Sequence, residues 1–89
     1  IADGSSLSRS VLKRIFEKDY VVLQAENGRD AFELFREHYE SLAAVILEMH
    51  MPKYDGMYFL EHMAALYRTN NVPVIAIAAN SKEVRQMKL

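Results

Sequence analysis

Two short apolar runs without polar alternation, Leu42 to Leu47 and Val72 to Ala78, constrain this chain more than any other feature. A strand that is apolar on both faces must be covered on both. That is the condition of a parallel sheet flanked by helices. The segments between the runs carry the complementary pattern. Leu7, Val11, Leu12, Ile15 and Phe16 fall on one helical face, with Ser5, Ser6 and Ser8 available to cap its start and Lys18 expected in its last turn. Ala31, Leu34, Phe35 and His38 recur at i, i+3, i+4 and i+7 after the turn signal Asn27-Gly28. Asp55, as a cap, and Gly56 open a third helical pattern through Phe59, Leu60, Met63 and Tyr67. Asn80 with Glu83 three residues on has the form of a capping box for a fourth. Ile1-Ala2 reads as the end of a strand, and Tyr20 to Leu23 as another.

The order is strand then helix, four times over, and right-handed crossovers make it an open doubly wound α/β sheet. In such sheets the functional crevice lies beyond the carboxyl ends of the strands. Asp3-Gly4, Glu48 to Pro52 and Ala78 to Ser81 are therefore the informative positions. The 89 residues suffice for one small domain. It reads as a single domain over 1–89, incomplete at both ends, because the pattern opens inside a strand and closes on Leu89 inside a helix. Eleven basic against twelve acidic residues give a net charge of −1, without the basic excess of a nucleic-acid footprint. No apolar run approaches the roughly 20 residues of a membrane span, and no signal-peptide pattern is present. Zero cysteines exclude disulfides and thiolate metal sites and fit a cytoplasmic location.

At the crevice positions the chain resembles the receiver domain of bacterial two-component response regulators. Asp3 followed six residues later by Arg9 looks like one of the family's two acids after the first strand. Ala25-Glu26-Asn27-Gly28-Arg29-Asp30-Ala31 is similar to its A-x-N-G-x-E-A segment, and Val45 through Met51-Pro52-Lys53-Tyr54-Asp55-Gly56 to its third-strand signature. Pro73-Val74-Ile75-Ala76-Ile77-Ala78-Ala79 resembles the fourth-strand P-V-I-x-x-T-A. The resemblance implies a flavodoxin-like fold, a parallel sheet of strand order 2-1-3-4-5, with strand 5 and helix 5 not represented in this chain. It implies a signalling module, not an enzyme. Its partners would be proteins, a cognate histidine kinase or an attached output domain, with no direct nucleic-acid or membrane contact. A dimer is left open.

The departures from the family bear on mechanism. Glu48 stands at the phosphoacceptor aspartate, Gly4 beside Asp3 in the acidic pair that holds Mg²⁺, and Ala78 at the switch threonine or serine. The family's lysine falls beyond Leu89. Glutamate is longer by one C–C bond, about 1.5 Å, and a displacement of about 1 Å already costs roughly 10²-fold in rate. With one carboxylate lost, Asp3 and Glu48 would bind Mg²⁺ weakly at most, and no other cofactor is implied. Ala78 has no hydroxyl to hold a phosphoryl oxygen. Glu48 is then a solvated crevice carboxylate, a charged mimic of the phosphorylated state, or a poor phosphoacceptor. Asp3 reads as a crevice acid or a helix cap, and His50 as an exposed loop histidine rather than a ligand. His38 and His62 lie on helices without a constellation around them, and the methionines read as packing. The leading expectation is a pseudo-receiver that regulates an output domain or partner through protein contacts, independently of phosphorylation. Its alternatives are an atypical Mg²⁺-dependent phosphoacceptor receiver and, less favoured, a metal-assisted hydrolase built on Asp3, Glu48 and His50.

Overall fold

The structure is a computed structural model and describes residues 1–66 and 71–77. The elements are α1 (Ser6–Phe16), α2 (Gly28–His38), β1 (Val45–Glu48), α3 (Gly56–Leu66) and β2 (Val74–Ile77). Each helix begins where a side chain accepts an N–H that the first turn leaves unpaired. Ser5 Oγ accepts from Ser8 N–H at 3.2 Å, Asn27 Oδ1 from Asp30 N–H at 2.9 Å, and Asp55 Oδ1 from Tyr58 N–H at 3.0 Å. Asn27-Gly28, a turn signal in the sequence, is thus a helix start: Asn27 is the extended cap and Gly28 the first helical residue. The last-turn cations of α1 are Lys13 and Arg14, not Lys18, because the helix stops at Phe16.

β1 and β2 pair in parallel, from Val45 opposite Val74 to Glu48 opposite Ile77. On the other edge of β1, Ala2 bridges Leu47, and beyond it Ala25, again in parallel. Ala2 N–H donates to Ile46 O and Glu48 N–H to Ala2 O, both at 2.8 Å, while Asp3 N–H donates to Ala25 O at 3.0 Å. Across the sheet the segments run 23–25, 1–3, β1, β2. That is the second, first, third and fourth in chain order, as a flavodoxin-like sheet requires. The reversal of order lies between residues 1–3 and β1, so the crevice opens where Asp3 and Glu48 emerge.

The core occupies one side of this sheet. Leu47 and Phe59 are fully buried and Phe35 nearly so, with the Phe35 and Phe59 rings edge to face at 5.7 Å. Val45 and Leu47 of β1 point into it, and Val74 and Ala76 of β2 pack against it at the same period-two spacing. Among the described residues the cover is unequal on the two faces. Ile75 and Ile77 on the opposite face of β2 are exposed, as are Leu7 (74%), Val11 and Ile15 along the apolar stripe of α1. Phe16 at the end of that helix shares an open groove with Ile1, Ile46 and Ile75, so the stripe and the bare strand face belong to one flank. Among the described residues no further helix packs over it. Phe59→Ala should therefore cost about 3–5 kcal/mol, whereas Leu7→Ala should stay within about 0.5 kcal/mol. Urea midpoints of the 89-residue chain check both.

The strand expected at Tyr20 to Leu23 is also displaced. Tyr20 N–H donates to Phe16 O at 3.0 Å in the turn that closes α1, and Val21 is 91% exposed. Among the described residues only 1–3 lie alongside as a parallel neighbour, and they pair with 23–25. Likewise the run from Leu42 reaches strand geometry only at Val45. Ala78, Tyr67 and the Asn80–Glu83 capping box lie outside the described residues. Among the described residues no helix is long and apolar enough to cross a membrane.

Candidate functional site

The pairing of Ala2 with Leu47 sets the next residues, Asp3 and Glu48, side by side at the carboxyl ends of adjacent strands. Asp3 is 9% exposed. Its Oδ1 accepts the Ser5 N–H at 2.9 Å, and Arg9 Nη1 returns from α1 to donate to the Asp3 carbonyl at 2.7 Å. Asp3 is thus a crevice acid that also fixes the start of α1, while Ser5 is the cap proper. Glu48 is half-buried, and its Oε1 accepts the N–H of His50, an exposed loop residue, at 3.1 Å.

Gly4 faces this loop. A Cβ at Gly4 would lie 3.0 Å from Pro52 Cδ, tighter than ordinary van der Waals contact, and 3.8 Å from Met51 Cα. The proline ring therefore leans into the place where a second acidic side chain would start. Mg²⁺ demands near-octahedral oxygens. Gly4 offers no side-chain oxygen, and Asp3 and Glu48 each already accept a backbone N–H. Among the described residues no group of three or more His, Cys, Asp or Glu side chains is placed to hold a metal ion.

Two glycines that the sequence presented as turn punctuation hold the loop after β1. Gly28 N–H donates to Tyr54 O at 2.6 Å, and a Cβ on Gly28 would collide with the Asp55 carbonyl oxygen. Gly56 N–H donates to Met49 O at 3.1 Å, and its Cβ would lie 2.6 Å from Met49 Sδ. Between them Lys53 sits at φ 65°, the positive-φ region that side chains rarely occupy. The next residue, Tyr54, starts an aromatic ladder. Its ring packs against Tyr58 at 4.8 Å, Tyr58 stacks on His62 at 3.9 Å, and His62 meets Phe32 of α2 at 5.4 Å. The Arg29 guanidinium stands 5.7 Å over Tyr54. His62 is therefore packed among aromatic rings, a surrounding that the sequence expectation did not include. Its signal was the i, i+4, i+8 spacing of Tyr54, Tyr58 and His62.

Comparison with known proteins agrees with this geometry. The family model described as the response regulator receiver domain matches residues 1–89. A Porphyra purpurea protein named probable transcriptional regulator ycf27 is 34% identical over 79 residues, covering 89% of this chain and 30% of its own length. The Helicobacter pylori sensor histidine kinase CheAY is 24% identical over 87 residues, covering 97% of this chain and 11% of that protein. The chain thus spans less than a third of the length of these curated relatives. A chain from the crystal structure of the CheX-CheY-BeF3-Mg complex of Borrelia burgdorferi matches with a TM-score of 0.81 and 27% identity, over 94% of this chain and 64% of that one. By the match along its whole length and by its fold, the chain belongs to the response regulator receiver domain family.

Proposed function

We propose that this receiver domain signals without accepting a phosphoryl group, regulating an attached output domain or a separate protein through direct contacts in the cytoplasm. One observation carries the reading. The Glu48 carboxylate at the acceptor position is turned back onto the His50 N–H, opposite a Gly4 whose side-chain space Pro52 narrows. Transfer to a carboxylate needs an acceptor held in line and a cation to neutralise the charge. Here the acceptor is one bond too long, and with Gly4 only Asp3 and Glu48 offer carboxylate oxygens, which would hold Mg²⁺ weakly at most. That a matched chain comes from a complex of CheX with CheY supports a protein partner. The hydrolase alternative gains no support, since among the described residues no group of three or more His, Cys, Asp or Glu is placed to hold a metal ion.

Exposure of the intact protein to radiolabelled acetyl phosphate tests this, with and without Mg²⁺. The expected outcome is no metal-dependent labelling, together with Mg²⁺ titrations of the crevice amides that do not saturate below millimolar. Ready labelling of the unmodified protein would make Glu48 a working acceptor.

A further inference from the structure

The loop between β1 and α3 contains the only positive-φ non-glycine residue among those described, and its hydrogen bonding defines what that conformation is. Tyr54 N–H donates to Pro52 O at 2.8 Å around Lys53 at φ 65°. A three-residue ring closed about a positive φ is the rare, strained form of the γ-turn. Such a conformation persists only where its surroundings over-determine it. Both sides of the turn are clamped here. Upstream, the Glu48 carboxylate braces the loop through His50 N–H. Downstream, the Tyr54 carbonyl is held by Gly28 N–H and its ring lies between Arg29 and Tyr58.

Contacts on either side of Met51, joined by the backbone of the loop, run from the crevice to the space between α2 and α3. Glu48 touches His50, Pro52 closes the turn on Tyr54, and Tyr54 leads through Tyr58 to His62, whose Nδ1 lies 2.8 Å from the Tyr58 carbonyl. The series ends between α2 and α3, where His62 meets Phe32. Ala78 has no hydroxyl, so a signal that begins with a side-chain hydroxyl bond at that position has no starting point in this chain.

We propose that the Pro52–Lys53–Tyr54 turn is a two-position lever that couples the state of Glu48 to the α2–α3 face. In the seated position, seen here, Lys53 holds positive φ and Tyr54 is locked against Arg29, Tyr58 and Gly28. In the released position Lys53 relaxes to negative φ, the Tyr54 carbonyl leaves the first N–H of α2, and the ladder restacks. Any event that unfastens Glu48 from the loop, such as engagement of its carboxylate by a partner, favours release. A lever of this kind needs no phosphoryl group on Glu48. Discrete rearrangement of packed groups is the physical form such coupling takes.

The test combines NMR of the His62 ring with hydrogen exchange of the Gly28 amide, normalised to the Ala2 amide in the centre of the sheet. Glu48→Gln keeps size and shape but removes the charge. It should move the His62 ring resonances and raise the normalised Gly28 exchange roughly ten-fold, as expected for a local opening. In a Tyr54→Ala background the same Glu48→Gln change should leave His62 unmoved. Lys53→Gly, which accepts positive φ without strain, should slow the normalised Gly28 exchange and shrink the response of His62 to Glu48→Gln. This variant decides the matter if Tyr54→Ala does not fold. A His62 ring indifferent to Glu48→Gln, or responding equally without the Tyr54 ring or with Gly at 53, would overturn the lever.

Discussion

In the intact protein, the double variant Gly4→Asp, Glu48→Asp takes phosphoryl from acetyl phosphate in the presence of Mg²⁺, with the unmodified protein at least about 10²-fold slower. Glu48→Asp draws the acceptor back by one bond, and Gly4→Asp restores the missing metal acid. The structure adds a condition absent from the sequence. An aspartate at 4 begins with a Cβ 3.0 Å from Pro52 Cδ, so the proline ring must yield by a few tenths of an ångström. Pro52→Ala added to the pair should then raise labelling further. If Pro52 moves freely, the third change is neutral and the double variant alone suffices. Ala78 is untouched in both, so labelling cannot signal through a side-chain hydroxyl at position 78 until Ala78→Thr is added. A double variant that folds, binds Mg²⁺ and never labels would place the defect outside these positions.

A single methyl group at Gly28 should cost as much stability as emptying part of the core. Its Cβ would fall on the Asp55 carbonyl oxygen, and backbone cannot step aside as the end of a flexible side chain can. Relief requires moving the start of α2 away from the loop, which also breaks the Gly28 N–H bond to Tyr54. Gly28→Ala should destabilise by about 3 kcal/mol, the upper end of overpacking costs. Alanine elsewhere in an exposed helix would instead gain nearly 1 kcal/mol over glycine. The sign of the change in urea midpoint therefore separates close approach from ordinary helix propensity. A stabilised Gly28→Ala would mean that α2 is not seated on Tyr54 and Asp55.

The sequence made the parallel sheet and the crevice legible because both follow from period and register. The run ending at Leu47 puts Glu48 at a strand end, and Ala2 puts Asp3 beside it. The capping role of Asp55 was equally plain, since an acid before a helical pattern has one preferred partner. The strand at Tyr20 to Leu23 was misplaced because β-propensity marks residues that suit a pleat, not the residue at which a neighbour is present. Gly28 was misread for a related reason. Asn-Gly signals either a turn or a cap followed by close contact, and only Tyr54 and Asp55, distant in sequence, decide between them. The ladder through His62 escaped notice because its members meet by helical spacing and not by any chemical motif.

The apolar side chains left exposed among the described residues bear on how the fold responds to temperature. Leu7, Val11, Ile15, Ile75 and Ile77 keep between 42% and 74% of their surface exposed in the folded chain. Their hydration changes less on unfolding than that of enclosed side chains, and apolar hydration is the main source of the positive heat-capacity change. For the 89-residue chain that increment should fall below the usual 12–15 cal/mol/K per residue, roughly, seen in domains with a fully enclosed core. A smaller increment flattens the curve of free energy against temperature. Such a chain melts over a broad range and is slow to lose its fold in the cold.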